Sequence, residues 1–171
     1  TKRPVMRKRD TLPGYRGWMS KTSEPNDLIT VAQASEKQIL RRVLNALEGS
    51  SRALVGPGDD AAVLAVESGR AVVTTDTLVH GPDFRLAWSD GYSLGYKSAA
   101  VNLSDVAAMG AVPTALFVAL VLPRTLPLEY VDSLARGFRA ACDELAPGCA
   151  VEGGDLTVGE TMMVAVTAVG V

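Results

Sequence analysis

The chain has 171 residues, of which 47% are hydrophobic, and a formal net charge of −2. Its length predicts one domain that buries a core without disulfides or a structural metal. No apolar stretch reaches the roughly 20 residues of a transmembrane helix, and the N-terminus lacks the apolar region of a secretory signal. The two cysteines, Cys142 and Cys149, lack metal-ligand spacing, and we expect no disulfide between them. We therefore expect a soluble, cytoplasmic protein with no membrane partner.

Basic residues are concentrated in the N-terminal part of the chain. Residues 1–21 hold seven of the 17 Lys and Arg and one of the 19 Asp and Glu, a net charge of +6. The other residues hold ten basic and 18 acidic side chains, a net charge of −8. We favour a disordered, solvated extension for residues 1–30 over a contact with nucleic acid or a membrane surface. The acidic body, residues 31–171, argues against nucleic acid as the main partner.

Capping signals and apolar periodicity predict three helices. The first begins at Ser35, which fits a capping box with Gln38, and it ends at Gly49. The second covers residues 90–109 and stops at a glycine, and the third covers residues 128–145.

Strands are predicted before, between and after these helices. Each is a short run of apolar and β-branched residues bounded by turn residues. Their ranges are 53–55, 61–66, 71–75, 115–122, 149–152 and 162–171. The order of the elements predicts an α/β fold with one mixed sheet. Because the chain stops on the apolar run VAVTAVGV, we expect it to be part of something larger.

Residues 61–66 and 71–75 are predicted to form a hairpin that brings two acidic residues together. If its loop has three residues, with Gly69 in the left-handed conformation, Asp60 lies opposite Asp76. A two-residue loop shifts the register by one and places the two carboxylates on opposite faces. In both alternatives the two acids lie at the open end of the hairpin, which favours a shared site.

Further oxygen ligands are predicted near these acids. Thr74 and Thr75 precede Asp76 at the end of its strand, and Asp155 follows a pair of glycines. Asp105 lies beside the apolar stripe of the second helix, where a semi-buried carboxylate needs a partner or a cation. Converging carboxylates repel one another, and Mg²⁺, which prefers hard oxygen ligands, removes that repulsion. We favour this metal hypothesis over separate turn-capping by each aspartate.

Other common catalytic motifs do not fit the sequence. The segment GYSLGYKS, residues 91–98, has the wrong glycine spacing for a Walker phosphate loop and lies within a predicted helix. There is one histidine, His80, which argues against His-based triads and zinc sites. We expect His80 to be a solvated loop residue rather than a general base.

Four segments together resemble the thiamine-monophosphate kinase family, which belongs to a superfamily with aminoimidazole ribonucleotide synthetase and selenophosphate synthetase. They occur in the family's order, and the similarity covers residues 31–171. The segments are GDDAAVL (58–64), TTDTLVHGPDF (74–84), AVNLSDVAAMGAVP (100–113) and EGGDLTVG (152–159).

This resemblance implies the N-terminal half of a two-domain architecture, an α/β sandwich whose sheet pairs with that of a second subunit in a homodimer. It implies Mg²⁺ ions that bridge the phosphates of ATP and of the substrate. The implied metal ligands are Asp60, Thr74, Thr75, Asp76, Asp105 and Asp155. Gly154 with Asp155 matches a nucleotide contact, and Asp83 matches a substrate contact.

The implied reaction is direct transfer of the ATP γ-phosphoryl group to thiamine monophosphate, which gives thiamine diphosphate. The family often has histidine where this chain has Asp83, and it supplies further site residues from a second half that this sequence lacks. We therefore expect this chain alone to have little or no kinase activity. Two alternatives are another ATP-using member of the superfamily and a non-catalytic module that binds Mg-nucleotide or dimerises. The absence of an N-terminal cysteine argues against selenophosphate synthetase.

Overall fold

A computed structural model describes residues 28–58 and 61–171 of the chain. They form three α-helices and four strands, preceded by a 3-10 turn at Val31–Gln33. In chain order the elements are α1 (Glu36–Ala46), β1 (Val72–Val79), α2 (Gly91–Ala108), β2 (Pro113–Leu122), α3 (Leu128–Leu145), β3 (Ala150–Val158) and β4 (Met163–Gly170). None of these helices is both long enough and apolar enough to span a membrane. The predicted extension over residues 1–30 lies mostly outside the described residues and stays a prediction.

The four strands form one mixed sheet in the order β1-β4-β2-β3. β4 pairs antiparallel with both β1 and β2, whereas β2 and β3 run parallel. One face of the sheet is buried by helices, as the alternation along β4 shows: Val164, Val166 and Ala168 are buried and their neighbours are half-buried. The predicted α/β class and mixed sheet are confirmed.

Helix α1 is fixed at its start by capping and along its length by an ion pair. Ser35 Oγ accepts a hydrogen bond from the Gln38 amide, and Gln38 Oε1 accepts one from the Ser35 amide at 2.8 Å, which confirms the capping box. The Arg42 guanidinium donates to both carboxylate oxygens of Asp132 on α3. This hydrogen-bonded pair raises the pKa of Arg42 and ties α1 to α3.

Helices α2 and α3 approach closely because glycines lie at their contact. A Cβ added to Gly95 would lie 2.1 Å from the carbonyl oxygen of Leu134, and one added to Gly137 would lie 2.1 Å from that of Tyr92. The segment GYSLGYKS therefore forms the first turns of α2, where its glycines serve helix packing. This geometry supports the rejection of a phosphate loop.

The predicted hairpin of residues 61–75 is wrong. Its tight turn does form, since the Gly69 amide donates to the Val66 carbonyl at 3.2 Å and Gly69 has a φ of +70°. The described residues before that turn make no strand, however, and Val63 forms a single bridge with Val55. β1 instead pairs with β4 over eight residues, which a local turn signal does not reveal.

Both cysteines are free, in agreement with the expectation of no disulfide, and both are buried. Cys142 lies near the end of α3, and its thiol is hydrogen-bonded to that of Cys149, which precedes β3. This hydrogen bond, together with burial, raises the pKa of Cys142, and the same hydrogen bond lowers the pKa of Cys149. The pair contributes to the core beside α3.

Substitution of Gly95 by Ala tests the close helix contact. The new methyl group would collide with a backbone carbonyl that cannot rotate away, so we expect the free energy of unfolding to fall by about 3 kcal/mol. Ser104→Ala, at an exposed position of the same helix, should change it by less than about 0.5 kcal/mol. Chemical denaturation measures both, and equal midpoints for the two variants would contradict the contact.

Candidate functional site

The three predicted oxygen ligands on β1 lie in the middle of the strand rather than at its end. Thr74 pairs with Ala168 and Asp76 with Val166, so both side chains point to the face that α2 covers. Thr75 points to the opposite face, where its Oγ1 donates to the Val166 carbonyl at 3.0 Å. The three residues therefore cannot all turn their side chains to one ion on one face of the sheet.

Asp76 and Asp155 lie on strands at opposite edges of the sheet. Asp76 is level with Val166 on β4, Val118 on β2 and Gly154 on β3, and Asp155 is the next residue along. Three strand spacings separate the two edges, a distance of about 14 Å. Because Mg²⁺ lies about 2.1 Å from each ligand oxygen, one ion in this chain cannot bind both carboxylates.

Asp105 is exposed on α2, and the prediction that it is semi-buried is wrong. Met109, one turn further along the helix, is 72% exposed, so this side of the helix faces solvent. Asn102, three residues earlier, is buried and donates to the Ser98 carbonyl at 2.9 Å. Its Oδ1 has no hydrogen-bond partner among the described residues.

Gly154 and Asp155 lie within β3, because the strand continues through the two glycines instead of turning there. Gly154 has a φ of +155°, and a Cβ at this position would lie 1.9 Å from the Val118 carbonyl oxygen. Only glycine fits this contact. Both residues line a partly open cavity of about 670 Å³, together with residues of α1, α3 and β2 and residues near position 58.

Glu152, which the sequence analysis did not single out, is the most buried carboxylate of the site. It is 1% exposed, and its oxygens accept hydrogen bonds from Ser51 Oγ, the Arg52 amide and the Ala53 amide. One signal was present in the sequence. A charged residue inside an apolar strand needs buried partners, and Glu152 directly follows Ala150 and Val151.

The described residues of one chain do not form a complete metal cage. Across residues 28–58 and 61–171, no group of three or more His, Cys, Asp or Glu side chains is arranged to hold a metal ion. Asp60 lies outside the described residues. The predicted metal ligands thus remain separate carboxylates and hydroxyls, on β1, α2 and β3.

Comparison with protein families identifies the fold family. Residues 58–171 match the family model of AIR synthase related protein, N-terminal domain. The chain belongs to this family.

Relatives of the chain include named enzymes. It is 42% identical over 143 residues to a thiamine-monophosphate kinase of Corynebacterium glutamicum, with 82% of this chain and 41% of the relative covered. A crystal structure of thiamine-monophosphate kinase from Stenotrophomonas maltophilia matches with a TM-score of 0.65 and 36% identity, over 80% of this chain and 42% of that one. AaThiL complexed with AMPPCP and TMP matches with a TM-score of 0.57 and 30% identity, over 79% and 41%. The chain thus spans about two fifths of the relatives it matches.

Asp83, a predicted substrate contact in this AIR synthase-related domain, has a structural role in the turn after β1. Its Oδ2 accepts a hydrogen bond from the Val79 amide at 2.8 Å, and its own amide donates to the Val79 carbonyl at 3.1 Å. Lys97 Nζ donates to the Asp83 carbonyl at 3.0 Å, which ties the turn to α2. The ring of His80 packs edge-on against Phe84 across the same turn, so His80 is partly packed rather than fully solvated.

Substitutions at Asp83 separate the turn contact from a substrate contact. Asp83→Ala removes the acceptor for the Val79 amide, and we expect the free energy of unfolding to fall by about 1 kcal/mol. Asp83→Asn keeps an acceptor oxygen at the same distance and should unfold like the unsubstituted chain. Thermal unfolding of both variants measures this, and an Asp83→Ala chain as stable as the original would refute the turn-closing role.

Proposed function

We propose that this chain is the N-terminal part of a thiamine-phosphate kinase. The reaction transfers the γ-phosphoryl group of ATP to the phosphate of thiamine monophosphate and gives thiamine diphosphate. The observation that carries the proposal is the similarity to thiamine-monophosphate kinases, which extends beyond the family-matched region to most of the chain. The match to AaThiL complexed with AMPPCP and TMP supports ATP and thiamine monophosphate as the two substrates. A reaction that uses ATP suits the predicted cytoplasmic location.

The cavity beside β3 is the proposed nucleotide site. Its volume of about 670 Å³ lies within the usual range for small-molecule sites. Gly153 and Gly154 line the cavity on the strand side. Asp155 follows directly and is the proposed contact to a cation that accompanies the phosphates.

Mg²⁺ is the proposed cofactor because the candidate ligands are carboxylates and hydroxyls. Mg²⁺ is commonly held by one or two carboxylates, waters and substrate phosphates rather than by a protein-only cage. Separated aspartates fit this mode, since each needs to complete the shell of only one ion. Bound Mg²⁺ would neutralise the charge that keeps two phosphates apart. The proposed ligands are Asp60, Thr74, Thr75, Asp76, Asp105 and Asp155.

Of these proposed ligands, Thr75 has the least structural support. Its hydroxyl donates to the Val166 carbonyl and accepts from Thr167 Oγ1 at 3.1 Å. One lone pair is left, and it lies on the sheet face opposite Asp76. Thr74 shares the face of Asp76 and is therefore the better partner for that carboxylate.

We further propose that the chain forms a homodimer through the sheet face that the helices leave uncovered. This face carries Phe117, Ala119 and Val121 on β2 and Ala165 on β4, all half-buried. Val73 on β1 lies on the same face and is 62% exposed. Thr75 and Thr167 lie on the same face, as does Asp155 opposite Ala119, so the face is apolar along β2 and polar towards β1 and β3. An exposed sheet face with an apolar centre is typical of a contact surface.

Kinase activity is tested with the complete protein that carries this sequence. We expect ADP release that depends on thiamine monophosphate, ATP and Mg²⁺ together. Asp76→Asn and Asp105→Asn should each lower kcat by about 100-fold or more, because the amide keeps the size of the side chain but removes the charge that binds the cation. Melting temperatures should stay unchanged, since both side chains are exposed.

A matched control is Asp143→Asn, which removes an exposed carboxylate that pairs with Arg139 on α3. Its turnover should equal that of the unsubstituted protein. Turnover with a different acceptor would assign another activity within the superfamily. Nucleotide binding without turnover would assign a non-catalytic module, and wild-type turnover in the Asp76 or Asp105 variant would remove that residue from the metal site.

The dimer is tested by light scattering on the 171-residue chain. We expect a mass of twice 17.9 kDa. Ala165→Glu places a charge in the uncovered sheet face and should give a monomer, because burial of an unpaired carboxylate in an interface is strongly unfavourable. Ala107→Glu, at an exposed position on α2, should leave the dimer intact. A monomeric wild-type chain would exclude the proposed interface.

A further inference from the structure

The Glu152 carboxylate holds a loop that is distant in sequence against the beginning of β3, where the strand lines the cavity. It accepts hydrogen bonds from the Arg52 amide at 2.5 Å and the Ala53 amide at 3.1 Å through Oε1, and from Ser51 Oγ through Oε2. These donors lie about one hundred residues earlier in the chain and are consecutive. The side chain is 1% exposed, so water does not replace these contacts.

A β-bulge explains how a strand residue reaches that loop. Leu116 of β2 pairs with Val151 and Phe117 pairs with Gly153, so Glu152 is an extra residue with no partner on β2. Bulges break the alternation of side chains and redirect the extra one. The Glu152 side chain therefore does not follow the alternation of the sheet. Glu152 directly precedes Gly153, Gly154 and Asp155 in the chain.

The loop that Glu152 holds continues into one wall of the cavity, formed by Pro57 and Gly58. Gly154 and Asp155 form another wall on the strand side. Gly56 packs against the hydrogen bond between Ser51 and Glu152. A Cβ at this position would lie 2.5 Å from Ser51 Oγ and 3.6 Å from Glu152 Oε2. Both walls are thus connected through one buried carboxylate.

We propose that Glu152 is a positioning residue that sets the distance between the two walls of the nucleotide cavity. The proposal rests on the proposed function in that the ligand of the cavity is taken to be Mg-bound nucleoside triphosphate. Glu152 is also part of the cavity lining, but its carboxylate is engaged by the three donors of residues 51–53 and acts through them rather than on the ligand. It holds residues 51–53 so that Pro57 and Gly58 face Gly154 and Asp155 at a fixed separation, and it contributes to affinity through that pre-formed shape.

A carboxylate suits this position because two backbone donors converge on one of its oxygens. An apolar side chain of similar size would leave both amides, whose hydrogen bonds are part-buried, without an acceptor, which is more costly than the loss of a fully solvent-exposed hydrogen bond. A glutamine retains the Oε1 acceptor for both amides, and its amide group can donate to Ser51 Oγ. Glu152→Gln is therefore the conservative variant and Glu152→Leu the disruptive one.

The first measurement is hydrogen exchange of the Arg52 and Ala53 amides in the 171-residue chain. Glu152→Leu should accelerate exchange at these two amides by about tenfold or more, since each loses a charged acceptor. Glu152→Gln should restore slow exchange. Amides in the middle of α2 should exchange equally in all three proteins, which distinguishes local release of the loop from general unfolding. Unchanged exchange at Arg52 and Ala53 in Glu152→Leu would overturn the anchoring role.

The second measurement is calorimetric binding of AMPPCP with Mg²⁺ to the complete protein. Glu152→Leu should weaken binding by about tenfold and raise KM for ATP more than it lowers kcat, whereas Glu152→Gln should bind like the wild type. Gly56→Ala tests the same anchor from the loop side and should weaken binding in the same way, because its methyl group displaces Ser51. Wild-type affinity in both Glu152→Leu and Gly56→Ala would overturn the proposal.

Leu126→Val is the control for a purely structural effect. Leu126 lies in the core between β2 and α3, and it does not line the cavity. The smaller side chain should lower the melting temperature while affinity for Mg-AMPPCP stays unchanged. If Leu126→Val weakens binding as much as Glu152→Leu does, Glu152 acts only through general stability and the positioning role is refuted.

Failure of the proposed function gives a different pattern. Wild-type protein that binds Mg-AMPPCP but does not phosphorylate thiamine monophosphate would refute the kinase assignment while the effects of Glu152→Leu on exchange and affinity still support the positioning role. Wild-type protein that does not bind Mg-AMPPCP would refute the positioning role as stated, whatever the exchange data show.

Discussion

The arrangement of the whole molecule depends on β4, which pairs along both of its edges. It lies between β1 and β2, and its alternate residues Val164, Val166 and Ala168 form the centre of the buried sheet face. Because β4 and β2 separate β1 from β3, Asp76 and Asp155 are held at opposite edges of the sheet. The last strand of the chain therefore decides which of the predicted site residues can meet.

The helical layer fits on this sheet because α2 and α3 are brought together by glycines. Gly91, Gly95 and Gly137 each lie so close to the facing helix that a side chain would meet its backbone. Their contact allows α2 to cover β1 and β4 while α3 lies nearer to β3. The cavity lies on the α3 side, between α1, α3 and the strand residues around Gly154.

The helices could be predicted from the sequence because their signals are local. The capping box at Ser35 and the glycine after α2 act within a few residues of the elements that they bound. The hairpin prediction was wrong because strand pairing depends on residues that are far apart in the sequence. Gly69 makes the expected turn, but β1 pairs with a strand about ninety residues later. For Asp105, the helical periodicity indicated which residues neighbour it on α2, but it did not indicate which side of α2 packs against the rest of the molecule. Glu152 was missed for a related reason, since its role depends on a bulge and on donors one hundred residues away.

The separation of the acidic residues bears directly on the proposed chemistry. A single catalytic ion would require the carboxylates to converge, and Asp76 and Asp155 are about 14 Å apart across the sheet. A nucleoside triphosphate bound next to the substrate phosphate presents several negatively charged groups in a row. Several Mg²⁺ ions can bind along that row. Each ion then takes most of its ligands from phosphates and water and only one or two from the protein. In such a site the protein must keep its separated ligands in a fixed arrangement, because no single ion draws them together. Rigid connections such as the one from Glu152 to residues 51–53 then matter as much as the ligands themselves.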